Sequence, residues 1–129
     1  MKDSDILTII AKPVNITVQR VKDLLYNAIE GGSNYWVGTL DRMGGISQEA
    51  APYRQDVPFV EGGWLELEEQ EQSGKAKTFR IDLNTIKAGL EVMAKKYPKH
   101  FTNFIAENDD AETGDVFLQC ICFGELVYG

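Results

Sequence analysis

The stretch from Trp64 to Asp82 constrains the fold more than any other part of the chain, because its residues match one another in a single antiparallel register. Residues equidistant from Ser73 pair apolar with apolar and acid with base: Leu65 with Ile81, Leu67 with Phe79, Glu66 with Arg80, Glu69 with Lys77, and Glu71 with Lys75. A slip of one residue would turn the apolar side chains of the two strands to opposite faces. The pattern predicts a β-hairpin with strands at about 64–71 and 75–82 and the loop Gln72-Ser73-Gly74.

Apolar residues before this hairpin recur at helical spacing. They are Val18, Val21, Leu24, Leu25, Ala28 and Ile29. Asn15 or Thr17 can cap the first turn, and Gly31-Gly32 can end the helix, which predicts a helix over about 17–30. The run Ile6 to Ala11, ended by Pro13, predicts an edge strand, and the aromatic and branched residues of 33–40 predict a second strand.

The segment after the hairpin is predicted to be helical. Asp82 or Asn84 caps one helix, Pro98 ends it and starts the next, and Asn108-Asp109-Asp110 precedes a last segment, 111–123. That last segment is nearly continuous in apolar residues, so its periodicity alone leaves a buried strand open. The cap and Gly124 favour a helix. The whole chain, 1–129, is therefore predicted to form a single α+β domain.

Charge and cysteine content limit the possible functions. The chain of 129 residues has 13 Lys and Arg against 20 Asp and Glu, a net charge of −7, which disfavours direct binding of nucleic acid. No apolar run is long enough for a membrane span and no secretory signal is present, so a cytoplasmic protein is expected.

Cys120 and Cys122 are too close for a disulfide in a regular element, and both are expected to be buried and reduced within a helix packed on all sides. Two thiols and one histidine do not complete a zinc site.

No motif identifies a reaction. The acidic cluster from Glu107 to Asp115 has alanine, Ala111, where the third ligand of an EF-hand loop would be, and a helix N-terminus explains most of its carboxylates. The only histidine, His100, has no feature that marks it as a base, and no phosphate-binding glycine motif occurs. Whether the chain is an enzyme stays open, with the weight against it. No metal or cofactor is expected.

The best candidate for a ligand-binding site combines the strand around Trp36 with the long loop from Arg42 to Gly63. Aromatic rings and guanidinium groups suit a planar anionic ligand. The candidate residues are Asn34, Tyr35, Trp36, Arg42, Tyr53, Arg54 and Trp64. The alternative, that the tryptophans belong to the core, is the stronger interpretation for Trp36.

Three segments resemble small proteins encoded by tailed bacteriophages and prophages. They are Glu30 to Trp36 (EGGSNYW), Tyr97 to Phe101 (YPKHF), and Glu107 to Gln119 with its continuation Phe123 to Gly129 (FGELVYG). The resemblance implies a setting inside an infected host cell and carries over no catalytic or binding residues. In that setting we expect a non-enzymatic protein that acts against host defence.

Two classes of target are compatible with such a role, and a small enzyme stays the third possibility. The protein could sequester a nucleotide-like signal or inhibit a defence protein. Alternatively, its carboxylates could mimic nucleic acid and block a DNA-binding host protein. The expected partner is thus a host defence protein or a nucleotide-like small molecule, with no membrane involved and with a homo-oligomer possible.

Overall fold

The computed structural model describes residues 1–70 and 76–129 and has the predicted α+β fold. The elements follow one another in this order: β1 (Ile6–Ile9), β2 (Val14–Thr17), α1 (Val18–Asn27), a π-helical turn (Ala28–Gly32), β3 (Val37–Met43), a 3-10 turn (Arg54–Phe59), β4 (Trp64–Glu69), β5 (Thr78–Ile81), α2 (Leu83–Lys96), α3 (Pro98–Ile105) and α4 (Ala111–Phe123). β1 and β2 form one antiparallel sheet, and β3, β4 and β5 form a second in that order. Among the described residues, no helix has both the length and the apolar character that a bilayer crossing needs.

The predicted hairpin register is confirmed. Leu65 pairs with Ile81 and Leu67 with Phe79, and Glu66 lies opposite Arg80 on the other face. The amide of Glu69 donates to the carbonyl of Lys77 at 2.9 Å, which extends the same register by one step. The predicted loop at 72–74 and the pair Glu71 with Lys75 lie outside the described residues.

Two predicted elements of the first half need correction. The strand expected at 33–40 begins at Val37 and continues to Met43. Residues 33–36 form a turn instead, in which the amides of Trp36 and Val37 both donate to the carbonyl of Ser33. The strand expected at 6–11 ends at Ile9 and pairs with β2, a strand that has no counterpart among the predicted elements. Pro13 lies in the connection between these strands, where its missing N–H costs no ladder bond.

The predicted helices lie close to their expected positions. Thr17 caps α1, its hydroxyl accepting from the Arg20 amide, and the α-helical part ends at Asn27 before the π-helical turn. Asp82 caps α2, and Pro98 starts α3. The segment 111–123 is a helix, capped by Asp110 and ended by Gly124 in the left-handed conformation.

Helix α4 lies at the centre of the core. All its residues from Thr113 to Cys120 are buried, in contact with α1, α2, α3 and β5. Both cysteines are free, and Cys120 is 3% exposed, but Cys122 is only partly buried, so the expectation of a helix packed on all sides was wrong for that residue. Burial raises the pKa of each thiol to about 12.

Candidate functional site

The two arginines of the predicted site bind backbone carbonyls of the protein itself, and Arg42, predicted to start the long loop, belongs to strand β3. Arg42 lies on the core side of β3, opposite Leu65, and its guanidinium donates to the carbonyls of Ala51 at 2.6 Å and Ser47 at 3.3 Å. Arg54 donates to the carbonyl of Leu40 at 3.3 Å. Leu40 belongs to β3, an edge strand, so Arg54 satisfies a carbonyl that sheet pairing leaves open.

The remaining residues of the predicted site do not form a large pocket with these arginines. Asn34 and Arg54 line a cavity of about 120 Å³ beside Gly38 and Leu118, well below the ~300–1,000 Å³ typical of ligand pockets. Tyr53 is 66% exposed on the surface of the loop. The structure thus brings Asn34 and Arg54 together and leaves Tyr53 outside their cavity.

Trp64 lies on the opposite face of the sheet from Arg42. It pairs with Met43 across β3 and β4, and the guanidinium of Arg80 lies 4.3 Å from the centre of its ring. Both Trp64 and Met43 are partly buried. Together they form an apolar end to a sheet face that is otherwise polar.

Trp36 and Tyr35 bind a buried carboxylate, Asp115, which belongs to the acidic cluster from Glu107 to Asp115. Trp36 is fully buried, as its interpretation as a core residue predicted. Its indole N–H donates to Asp115 Oδ1 at 2.7 Å, as does the Ser33 hydroxyl at 2.7 Å, while the Tyr35 hydroxyl donates to Oδ2 at 2.6 Å. Gln119 completes the set with a bond of 3.0 Å from its side-chain nitrogen to Oδ2.

The hydrogen bonds to Asp115 connect the turn at 33–36 to helix α4. Each of the four partners donates to Asp115, and no cationic side chain contacts the carboxylate among the described residues. Burial and the bond to Asp115 raise the pKa of Tyr35 to about 12, so the phenol stays protonated at neutral pH. The sequence signal for the pair Asp115 and Gln119 is a carboxylate and an amide four residues apart in a stretch, 115–123, whose other residues are apolar.

Most of the acidic cluster from Glu107 to Asp115 is engaged in intramolecular contacts. Glu107 and Asp109 form ion pairs with Arg20 at 2.9 and 3.1 Å. Asp110 caps α4, and Asp115 is buried. This cluster therefore does not present a free row of carboxylates to a partner.

The solvent-facing side of β3 and β4 does present such a row. Asp41 and Glu66 lie directly opposite one another, and Glu68 follows two residues along β4 on the same side. None of the three forms an ion pair with a described residue. We call this surface, with Trp64 and Met43 at one end, the acidic sheet face.

Like charges placed opposite each other in a sheet are destabilising. Arg80 lies opposite Glu66 on the neighbouring strand, β5, and on the same face of the sheet. Its guanidinium donates to Asp82 at 2.9 Å and stacks on Trp64. Arg80 therefore forms its ion pair with Asp82 and not with Glu66.

Comparisons with known proteins do not extend these observations: no protein-family model matches the chain, and no curated protein or solved structure shows significant similarity to it. The resemblance to phage proteins therefore stays a prediction.

Proposed function

We propose that the protein is a non-enzymatic binder that inhibits a basic host protein through its acidic sheet face. The observation that carries this proposal is the like-charge pair Asp41 and Glu66, neither of which forms an ion pair with a described residue. A surface that keeps like charges together at a cost in stability is suited to a partner that supplies the opposite charge. The half-buried ring of Trp64 offers an apolar contact beside the carboxylates, and tryptophan is enriched among residues that anchor interfaces.

The phage setting enters this proposal through the sequence resemblance. A basic surface that accepts a row of carboxylates is the kind that binds nucleic acid. We therefore propose a nucleic-acid-binding defence protein of the host as the partner, with action in the host cytoplasm.

Sequestration of a nucleotide-like signal has less support from the geometry. The guanidinium groups of Arg42 and Arg54, which would hold phosphates, donate to backbone carbonyls. A thermal-shift screen against nucleotides and cyclic nucleotides tests this alternative directly, because a ligand present at 100 times its Kd raises stability by about 2.7 kcal/mol.

The proposed function is tested by neutralising the acidic sheet face. The variant Asp41→Asn, Glu66→Gln, Glu68→Gln removes its carboxylates, and the control variant Glu30→Gln, Glu49→Gln, Glu61→Gln makes the same change in net charge at exposed positions elsewhere. Immobilised wild type, face variant and control are each incubated with bacterial lysate. Retained proteins are then eluted with duplex DNA.

We expect wild type and control to retain the same basic protein, DNA to release it, and the face variant to lose it. Retention by the face variant equal to wild type would contradict the proposed surface. Retention that salt abolishes but DNA does not would assign the partner a basic surface other than a nucleic-acid site.

A further inference from the structure

The segment 125–129 crosses the protein surface without joining a helix or a sheet. Gly124, with a φ of 71°, ends α4 and turns the chain back along it. None of the residues 125–129 makes a backbone-to-backbone hydrogen bond with another described residue. Its hydrogen bonds to the rest of the described chain all involve a side chain.

Gln119 binds the main chain of this segment. Its side-chain oxygen accepts from the amides of Val127 at 2.8 Å and Tyr128 at 2.9 Å, and its nitrogen donates to the carbonyl of Tyr128 at 3.2 Å. A fully buried amide that both donates to and accepts from one residue's backbone recognises an extended peptide whatever its side chains are.

The Tyr128 ring supplies the side-chain contact. It stacks on Trp36 with ring centres 5.5 Å apart and planes 9° from parallel, and it meets Tyr35 edge-on at 6.3 Å. Its hydroxyl donates to Glu69. Gln119 thus binds the main chain of the segment, Trp36 and Tyr35 contact the Tyr128 ring, and Glu69 accepts from its hydroxyl. We call the surface formed by these four residues the groove.

We propose that this groove is a peptide-binding site, that segment 125–129 occupies it as a displaceable latch, and that the external ligand is an extended protein segment bearing a tyrosine. The chemistry of the ligand follows from the segment seated there. The groove shares no residue with the acidic sheet face, so the proposal does not depend on the proposed function.

The latch is suited to displacement because four of its five residues are exposed and only Tyr128 is partly buried. The side chains of Leu126 and Val127 are 38% and 55% exposed, and segments with few buried contacts and no backbone ladder open at low free energy. Covalent attachment nevertheless gives the latch an effective concentration in the millimolar range, so an external peptide competes well only when the latch is weakened.

The experiment uses the full chain with a weakened latch. Val127→Pro removes one amide donor to Gln119, and Tyr128→Ala removes the ring, so the double variant leaves the groove accessible. Leu126→Ala is the matched control, because it keeps the Val127 and Tyr128 amides and the ring. The probe is the acetylated peptide Glu-Leu-Val-Tyr-Gly, titrated into each protein by calorimetry alongside its Tyr-to-Ala counterpart.

We expect the double variant to bind the tyrosine peptide at least about ten-fold more tightly than wild type or Leu126→Ala does, and to discriminate against the alanine peptide. Equal binding by all three proteins, or no binding by the double variant, would overturn the proposal.

If the double variant does not fold, hydrogen exchange on the wild-type protein tests whether segment 125–129 opens as a latch. A latch requires the amides of Val127 and Tyr128 to exchange at least about ten-fold faster than those of residues 116–120 in α4. Equal protection of the two sets would mean that the segment is an integral part of the fold and not a latch.

Discussion

A buried carboxylate lowers the stability of a fold unless hydrogen-bond donors satisfy its oxygens. The carboxylate of Asp115 accepts from four donors. Those donors come from two places, the turn that carries Ser33, Tyr35 and Trp36 and the following turn of α4. The carboxylate therefore connects the turn before β3 to the central helix through hydrogen bonds from neutral donors.

Replacing Asp115 with Asn should destabilise the protein strongly. An asparagine presents an NH₂ group where the carboxylate accepted, so a donor that cannot reverse its role, the Trp36 indole N–H at one oxygen or the Gln119 side-chain NH₂ at the other, faces a second donor in place of an acceptor. We expect a loss of about 2–3 kcal/mol in the free energy of unfolding, measured by urea denaturation. Glu112→Gln, an exposed substitution on the same helix, should stay within about 0.5 kcal/mol of wild type. An Asp115→Asn variant as stable as that control would show that the network contributes little.

Helix ends and strand pairs determine stability at the scale of the element. The carboxylate of Asp110 accepts from the amide of Thr113 at 3.0 Å at the start of α4. That hydrogen bond from the Thr113 backbone holds the pKa of Asp110 below its ordinary value of 3.8. The capped carboxylate therefore stabilises the folded state fully above pH 3.8, and its contribution is lost as the pH falls through the lower folded-state pKa.

The variant Asp110→Asn keeps the capping hydrogen bond and removes the negative charge, so it should show the effect of the charge alone. Asparagine caps helices about as well as aspartate, so stability near pH 7 should change little. The variant should then lose less stability than wild type between pH 6 and about pH 3, because one of the titrating groups is gone. Urea midpoints measured across this range test the expectation. Identical pH profiles for the two proteins would contradict it.

The pairing of Asp41 with Glu66 leads to the opposite expectation, a gain in stability. Asp41→Asn removes a like-charge pair across β3 and β4 and should raise the free energy of unfolding by about 0.2–1 kcal/mol. The gain should shrink in about 1 M NaCl, where the Debye length falls to about 3 Å. Glu49→Gln, the same charge change at an exposed loop position, should give no comparable gain. A destabilised Asp41→Asn variant would mean that Asp41 has a structural partner.

Elements whose determinants are local were predictable from the sequence, and those that depend on distant partners were not. The hairpin of β4 and β5 carries its register in its own side chains, and Thr17 and Asp110 mark helix starts within one turn. By contrast, the connection between β1 and β2 is held by Glu91, which accepts from the amides of Ile10 and Ala11 some 80 residues away.

The candidate site, too, depends on partners that are distant in sequence and was therefore not predictable. Arginines beside aromatic residues suggested a ligand site, yet Arg42 and Arg54 reach backbone carbonyls that no sequence pattern specifies. Asp115 lies about 80 residues from the turn that it binds, so its role depended on the packing of the whole chain.

At the scale of the whole molecule, two of the three segments that resemble phage proteins, the first and the third with its continuation, meet at one junction. The turn of Glu30 to Trp36 packs against the start of α4, and residues 123–129 return to cover Trp36. The junction joins the N-terminal helix to the helical C-terminal half, and it includes both Asp115 and the latch.

Gly32 allows the two halves of this junction to approach closely. A Cβ atom built on Gly32 would lie 2.1 Å from the carbonyl oxygen of Ala111, a backbone atom that cannot move aside without shifting α4. A Cβ on the adjacent Gly31 would meet no atom within 4 Å. The two neighbouring glycines therefore form a matched pair, one at a close backbone contact and one in open space.

Gly32→Ala should consequently destabilise the whole molecule, whereas Gly31→Ala should not. Overpacking that forces backbone to shift costs about 1–3 kcal/mol, and here the shift would also disturb the bonds from Ser33 to Asp115. We expect a loss of that size for Gly32→Ala and a change within about 0.5 kcal/mol for Gly31→Ala, both from urea denaturation. Because the junction spans both halves, the Gly32→Ala protein should still unfold in one cooperative transition at a lower midpoint. Equal effects of the two substitutions would show that the approach of Gly32 to Ala111 does not limit how the halves pack.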